Sequence, residues 1–236
     1  VRTAGSHPAN RSSILRGVTN KTTQYLLGVF VCIRWGVGTG ILFIDMIGRL
    51  SNQSVYVFID ASNLMQAQKA KRRFLNYEKT LKHLKKEFDS NEIKVFYYTA
   101  YPAEGTRDYD LDGKHKFFTY LKKGLKFEVR KKPLKRIVTN DEHRQSVMEK
   151  GNMDVEMTID VVHHMNKFDV AIFFTGDSDF MALVTHLRTN DKKVYIYSSR
   201  HNVAQELRTG ADGYTDILDI EDDIWGTELK HRNQKD

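Results

Sequence analysis

Residues 175–180 read Thr-Gly-Asp-Ser-Asp-Phe, and this acidic turn decides the fold expected for the whole chain. It follows an apolar run at residues 170–174 that is short, β-branched and aromatic, which is typical of a strand buried in a parallel sheet. Gly176 permits a tight strand-to-helix turn, and apolar residues then recur at helical spacing. The sequence therefore predicts that Asp177 and Asp179 lie at the carboxyl end of a buried strand, the edge where open α/β sheets bind ligands.

The acids of this turn have two explanations. Asp177 or Ser178 can cap the following helix, which requires no ligand. Two crowded carboxylates also repel each other unless a proton or a cation intervenes, and a divalent metal would relieve that repulsion. The six residues alone leave both explanations open.

Two further acids are expected at the same edge of the sheet. A continuous apolar run at residues 55–59 predicts a strand that ends in Asp60. Asp154 falls in the first turn of a predicted helix, where the helix dipole alone also favours a negative charge.

Four carboxylates in one cleft repel one another unless cations are present. One or two Mg²⁺ or Mn²⁺ ions bound by Asp60, Asp154, Asp177 and Asp179 would remove this repulsion. Such ions also generate a hydroxide near neutral pH and stabilise the charge that builds on a phosphodiester during attack. Hydrolysis of a nucleic-acid backbone fits this chemistry.

Three polar residues near these acids have predicted supporting roles. Asn63 and Ser178 are neutral groups suited to orienting a ligand carboxylate or a bound water. Asp160 follows Asp154 by six positions and lies about 120° around the helix, so it can serve the same site only from a different depth.

The rest of the chain alternates between strands and helices. Apolar periodicity predicts an amphipathic helix at residues 74–88, strands at 92–98 and 125–129, a helix at 114–121, a strand at 193–197, a short helix ending at Gly210 and an edge strand at 214–220. Such alternation predicts a three-layer α/β/α fold with a mainly parallel central sheet and right-handed crossovers.

The segment between the fourth predicted strand and the central acidic turn is less regular. Residues 131–150 are polar, charged and aperiodic, which predicts an irregular basic loop or an extended hairpin. In the helix that follows, Val155, Ile159 and Val162 recur at spacings of four and three residues, and we expect them to form its buried stripe.

Charge is unevenly distributed along the chain. The 236 residues carry a formal net charge of +7, but residues 1–54 hold six Lys/Arg against only Asp45. Residues 114–136 concentrate ten Lys/Arg against the single acid Glu128, which indicates a polyanionic partner. The only cysteine, Cys32, excludes a disulfide framework and a thiolate zinc site, and we expect a cytoplasmic protein.

Both ends of the chain are expected to lie outside the folded domain, which we assign to residues 55–220. Residues 1–54 begin with a polar, aperiodic stretch typical of disorder. The apolar stretch at residues 25–47 is a weak membrane anchor because it contains an arginine and four glycines, and we expect no membrane contact for the folded domain. We favour an over-extended start or a dispensable leader, with a natural start at Met46. Residues 221–236 are expected to form a frayed, charged tail.

Three acidic motifs occur in a distinctive order. They are Phe-Ile-Asp-Ala-Ser-Asn at residues 58–63, Lys-Gly-Asn-Met-Asp-Val at residues 150–155 and Thr-Gly-Asp-Ser-Asp-Phe at residues 175–180. In this order the motifs resemble the NYN domain family, a PIN-like group that includes LabA-like proteins, over approximately residues 55–220. The sequence departs mildly from the family pattern at Thr175 and at Asn152 and Met153, and neither departure removes a carboxylate.

This resemblance implies a PIN-like α/β/α fold, a Mg²⁺- or Mn²⁺-dependent ribonuclease site and a role in RNA processing or turnover. The residues that match the family's motifs are the principal acids Asp60, Asp154 and Asp177, the second acid Asp179 of the glycine-acid motif, the less regular helix acid Asp160, and Asn63 after the first acid.

RNA is the expected partner, and the basic segment is its expected contact surface. The predicted contacts to the RNA backbone are Lys131, Lys132, Lys135 and Arg136. A charge run can also be a solvated surface with no partner. An aromatic-rich edge near Tyr195 and Tyr197 could support a homodimer.

Other functions are compatible with parts of the sequence. Haloacid-dehalogenase-like phosphatases end their first strand in two acids separated by one residue, whereas Asp60 is followed by Ala61, Ser62 and Asn63. A Toprim-like site begins from a glutamate that is missing here. A non-catalytic RNA-binding regulatory module with a PIN-like fold stays open, because a fold does not guarantee an activity.

Overall fold

The structure is a computed structural model that describes residues 53–102, 112–141, 144–220 and 224–229. The hypotheses of a leader or an anchor before residue 53 concern residues outside these ranges. Within the described ranges, no helix is long and apolar enough to cross a bilayer.

A parallel sheet forms the centre of the domain. The strands of the described residues are β1 (Val55–Asp60), β2 (Arg73–Leu75), β3 (Ile93–Tyr101), β4 (Glu128–Pro133), β5 (Lys135–Asp141), β6 (Arg144–Lys150), β7 (Val170–Phe174), β8 (Lys193–Ser198), β9 (Gly213–Asp216) and β10 (Trp225–Glu228). Six of them form one sheet in the order β4-β3-β1-β7-β8-β9, in which every neighbouring pair is parallel. The two central strands are buried along almost their whole length, as their continuous apolar sequences predict.

Helices cover both faces of this sheet. They are α1 (Ala61–Lys71), α2 (Tyr77–Glu87), α3 (Asp112–Thr119), α4 (Asp154–His164), α5 (Met181–Thr189) and α6 (Gln205–Gly210). Successive side chains of a strand point to opposite faces, so Val57 and Ile59 of β1 pack with α1, α2 and α3, while Phe58 packs with α4, α5 and α6. The predicted three-layer α/β/α fold is confirmed.

The basic segment at residues 131–150 is a hairpin rather than an irregular loop. Its first residues belong to β4 of the central sheet, and β5 then pairs with β6 in antiparallel register. The extended-hairpin alternative is therefore the correct one.

A second small sheet contains residues that were expected to fray. Trp225 of β10 pairs with Leu75 of β2, and its side chain is only 1% exposed. The expectation of a frayed tail is wrong for residues 225–228. The predicted start of the helix at residues 74–88 is also wrong. Asn76 caps α2 by accepting from the Lys79 backbone N–H, so the helix begins after Asn76 and Phe74 belongs to β2.

The buried stripe of α4 was predicted on the wrong face. Val155 and Ile159 are 66% and 62% exposed, and Val162 is also exposed. The buried residues are Met157, Val161 and His164, which recur at spacings of four and three residues. Apolar residues occur at helical spacing on two faces of this helix, and only the packing against the sheet decides which of them is buried.

The aromatic residues proposed to support a homodimer do not lie on an edge strand. β9 pairs with β8 and covers it. Tyr197 is buried and stacks on Phe174 with a centroid distance of 5.2 Å, while Tyr195 packs edge-on against Phe88 at 4.9 Å. Tyr197 therefore offers no surface to a second copy, Tyr195 is only half-buried, and a homodimer stays a prediction.

Candidate metal centre

The acidic residues meet at the point where the strand order of the sheet reverses, between β1 and β7. From β1 the strands proceed to β3 and β4 on one side, whereas β7 leads to β8 and β9 on the other. Asp60 is the last residue of β1, and Asp177 follows the end of β7 by three positions. A crevice at such a switch point is the usual ligand site of an open parallel sheet.

Three carboxylates form a compact cluster, which we call the acidic triad: Asp154, Asp177 and Asp179. One carboxylate oxygen of each lies within 4.8 Å of the other two. Asp154 is the first residue of α4, where the positive end of the helix dipole favours its charge. A divalent cation that binds oxygen at about 2.0–2.6 Å can contact three atoms at this separation.

Asp60 borders the acidic triad and is the most buried of the four acids, at 9% exposure. Its Oδ1 atom accepts hydrogen bonds from the backbone N–H of Ser62 at 2.9 Å and from the Ser62 hydroxyl at 2.7 Å. These bonds cap α1 and hold the carboxylate in one orientation. Asp60 is therefore a rigid neighbour of the triad.

The acids interact electrostatically. Burial raises the pKa of Asp60, the Ser62 hydrogen bonds oppose this rise, and the charge of Asp177 adds to it. Burial also raises the pKa of Asp154, and the charges of Asp60, Asp177 and Asp179 raise it further. Both shifts have the direction expected of carboxylates that repel one another, and a bound cation would reverse it.

The chemistry of this donor set fits a hard cation. The triad offers only carboxylate oxygens, which are the ligands that Mg²⁺ and Mn²⁺ prefer, whereas a structural zinc site needs thiolates or imidazoles. Asp154, Asp177 and Asp179 would hold the ion, and Asp60 adds a fourth carboxylate beside them.

Comparison with known proteins places the chain in a family. The family model of the NYN domain matches residues 54–219, which is most of the chain. The chain belongs to the NYN domain family. A curated relative, low amplitude and bright protein LabA of Synechococcus elongatus, is 27% identical over 173 residues, which cover 73% of this chain and 88% of the relative. A crystal structure of a protein of unknown function from Vibrio parahaemolyticus has a TM-score of 0.56 at 22% identity, covering 74% of this chain and 97% of its own, and this likeness supports the fold alone.

Helix capping and metal binding are not exclusive explanations of the acidic turn in this NYN domain. Asp177 does cap the short 3₁₀ turn at residues 178–180, since its Oδ1 accepts from the Asp179 backbone N–H at 3.1 Å. Capping accounts for one oxygen of one acid. It does not account for the approach of Asp154 and Asp179, which come from different elements.

The three residues predicted to support the acids have different positions and contacts in the structure. Asn63 ties the first turn of α1 to the end of β8, because its Oδ1 accepts from the Ser198 hydroxyl at 3.2 Å. Ser178 is exposed at the first position of the 3₁₀ turn. Asp160 instead forms an ion pair with Arg130 at 2.9 Å and accepts from the Tyr98 hydroxyl at 3.0 Å. The structure therefore assigns Asp160 to the packing of α4 on β3 and β4 rather than to the acidic triad.

Several residues of the NYN domain that sequence reasoning missed orient the acids. The Asn152 amide donates to Asp154 Oδ2 at 2.6 Å, and the Thr175 hydroxyl accepts from the Asp177 backbone N–H at 3.3 Å. Ser62 orients Asp60 as described above. Their positions, each two residues from the acid that it orients, were the only available signal, and short polar residues at such positions are also common in ordinary turns.

Gly176 is expected to tolerate no side chain. A Cβ atom added there would lie 2.4 Å from the Asn202 carbonyl oxygen and 2.8 Å from Val203 Cα, both of which are backbone atoms that cannot swing away. We expect Gly176→Ala to lower the free energy of unfolding by about 1–3 kcal/mol, measured by urea denaturation. Gly113→Ala is the matched control, because nothing lies within 4 Å of its added Cβ, and it should be neutral or stabilising. Equal effects at the two glycines would contradict this packing argument.

Proposed function

We propose that this NYN domain is a Mg²⁺- or Mn²⁺-dependent ribonuclease that hydrolyses phosphodiester bonds and acts in RNA processing or turnover. The observation that carries the proposal is the acidic triad, in which oxygens of Asp154, Asp177 and Asp179 approach within 4.8 Å at the ligand-binding edge of the sheet. The match to the NYN domain model supports a nuclease-like assignment for this edge.

Each residue of the centre has a role that follows from its contacts. When bound, the metal would activate water and stabilise negative charge on the phosphate. The triad would hold the ion, Asn152 would keep Asp154 turned toward it, and Ser62 would keep Asp60 fixed beside it. Orientation by neutral donors leaves the negative charge of the acids available to the cation.

A chelator experiment tests the proposal. The purified chain is incubated with single-stranded and structured RNA in Mn²⁺, in Mg²⁺ and in EDTA, and products are resolved on a denaturing gel. We expect cleavage in either metal and none in EDTA. Cleavage that persists in EDTA would contradict a metal-dependent nuclease, and tight binding without cleavage would favour a non-catalytic RNA-binding module.

The basic hairpin supplies the proposed contacts to the RNA backbone. The four residues predicted to make these contacts have different surroundings. Lys132 forms an ion pair with Glu156 at 2.7 Å, and Lys131 lies 5.3 Å from the centroids of the Tyr101 and Phe118 rings. Lys135 and Arg136 are exposed on β5. We therefore propose that these two exposed cations make the more salt-sensitive contacts.

Replacing both exposed cations should weaken the salt dependence of RNA binding. Each lost phosphate contact with a single strand lowers the slope of log K against log salt by about 0.7, so Lys135→Gln/Arg136→Gln should reduce it by up to about 1.4. The control Lys85→Gln/Lys86→Gln makes the same charge change on exposed residues of α2. Filter binding between 50 and 200 mM salt, a range chosen to span strong and weak screening, measures both. An unchanged slope in the hairpin variant would exclude these contacts.

A further inference from the structure

A large cavity adjoins the acidic triad. Its volume is about 940 Å³, near the upper end of the range of small-molecule sites. Asp60 lines it, and so does Asn152, whose amide is bonded to Asp154. The cavity therefore opens directly beside the place where a scissile phosphate would bind.

The lining of the cavity is aromatic. Rings of Tyr77, Tyr97 and Phe118 form part of its wall and are themselves buried in the core. Phe74 and Tyr120 also line it but remain 43% and 41% exposed. Aromatic rings left open beside a phosphate site are the surfaces on which nucleic-acid bases stack.

The wall that carries Phe74 exists because the second small sheet forms. β2 places Phe74 at the cavity, and Gly226 and Thr227 of the paired strand β10 line the cavity next to it. The Arg73 guanidinium donates to the Gly226 carbonyl at 2.9 Å and fixes the two strands together. Phe74 therefore projects from a hydrogen-bonded support rather than from a free loop.

Continuity with the acidic triad limits what can occupy the cavity. A phosphodiester at the acids would bring its attached ribose and base next to the cavity that Asp60 and Asn152 line. Lys114 also lines the cavity, and Lys131 lies against the Tyr101 and Phe118 rings, so positive charge is available for a neighbouring phosphate. The lining thus combines flat apolar rings with cations, which matches a nucleotide.

We propose that this cavity binds one unpaired nucleobase of the RNA, with Phe74 as the stacking residue, next to the phosphate at the acidic triad. This inference rests on the proposed ribonuclease function. A base inside a duplex cannot enter without leaving its partner, which costs unpairing energy. The cavity therefore selects single-stranded or bulged RNA over continuous duplex.

A binding cycle with and without bases tests the proposal. The full chain is titrated in EDTA, which withholds the metal, with a fluorescein-labelled 12-mer of uridines and with a 12-mer of the same backbone that carries no bases. For the wild type, removal of the bases should weaken binding by about 5- to 100-fold, which is the contribution of one stacked base. In Phe74→Ala, removal of the bases should weaken binding by less than about threefold, because the ring on which the base would stack is absent. Ile159→Ala, which truncates an exposed apolar residue on α4 outside the cavity, should behave as the wild type.

Phe74→Leu distinguishes loss of stacking from loss of packing, because it keeps an apolar side chain but removes the ring. It should also lose most of the dependence of binding on the bases. Equal base dependence in the wild type and both Phe74 variants, or none in the wild type, would overturn the proposal. Base-dependent binding through Phe74 without cleavage in Mn²⁺ would support the cavity and contradict only the nuclease function. Metal-dependent cleavage with base-independent binding would support the nuclease function and contradict only the base-binding cavity.

Discussion

Asp177→Asn is expected to lower the rate of metal-dependent RNA cleavage by about 10²- to 10⁴-fold without unfolding the protein. The expected loss reflects the several kcal/mol that a bound cation contributes to stabilising the transition state, at about 1.4 kcal/mol per tenfold. Asparagine caps helical turns as well as aspartate does, so the hydrogen bond to the Asp179 N–H should persist. The substitution thus separates capping from metal binding as the role of Asp177, because it keeps the capping hydrogen bond and removes the negative charge.

Asp89→Asn is the matched control for this variant. Asp89 is exposed and has a left-handed backbone with φ of 45°, a conformation that asparagine adopts readily. It lies before β3, at the amino end of the sheet, and its loss changes the net charge by the same amount. Cleavage should be unaffected. The rate is measured by single turnover with enzyme in excess over labelled RNA in Mn²⁺, and the melting temperature with and without Mn²⁺ is recorded for all three proteins.

The melting curves keep loss of activity distinct from loss of the site. Mn²⁺ should raise the melting temperature of the wild type and of Asp89→Asn, because a ligand that binds only the folded state stabilises it. It should raise that of Asp177→Asn much less. An Asp177→Asn protein that cleaves within about threefold of the wild type would show that the carboxylate is not needed for the reaction.

Much of the sheet was predictable because its sequence signals are local. Strands buried on both faces need continuous apolar runs, and residues 55–59 and 170–174 are such runs. The carboxyl ends of parallel strands meet at one edge, so Asp60 and Asp177 could be placed there from the chain order alone. Asp154 needed the further assumption that its helix begins at that edge, and α4 does begin there.

The misplaced residues share a different physical cause. Asp160 and Val155 both lie on α4, where helical spacing alone does not determine which face turns to the sheet. The choice is made by long-range partners: Arg130 of β4 and Tyr98 of β3 hold Asp160, and Met157 fills the core. These contacts join residues 30 and 62 positions apart, and contacts at such separations leave no periodic pattern in the sequence.

The C-terminal strand was missed because its pairing is short and distant. β10 and β2 have only four and three residues, and β10 lies in a charged segment that has the composition of a tail. Backbone hydrogen bonds nevertheless anchor the strand at both ends: the Asn76 N–H donates to the Ile224 carbonyl at 2.8 Å and the Leu229 N–H to the Arg72 carbonyl at 2.9 Å. These residues are therefore part of the domain.

Trp225→Ala is accordingly expected to lower the free energy of unfolding by about 3–5 kcal/mol, the cost of truncating a large buried aromatic residue. A frayed tail would predict no change. The side chain packs in the core on the side of α1 and α2, with the Lys71 ammonium 5.6 Å from its ring centroid. Urea denaturation measures the change, and Ile159→Ala, an exposed apolar truncation, should stay within about 0.5 kcal/mol of the wild type.

Trp225→Phe separates burial of the ring from the polar edge of the indole. Within the described residues the indole N–H has no hydrogen-bond acceptor, so its removal sacrifices no bond. The phenyl ring keeps most of the apolar contact, and the loss should therefore stay below about 1.5 kcal/mol. Because β10 supports β2 and hence Phe74, Trp225→Ala should also weaken base-dependent RNA binding, whereas Trp225→Phe should retain it. A loss below about 1 kcal/mol in Trp225→Ala would mean that these residues are not part of the folded core.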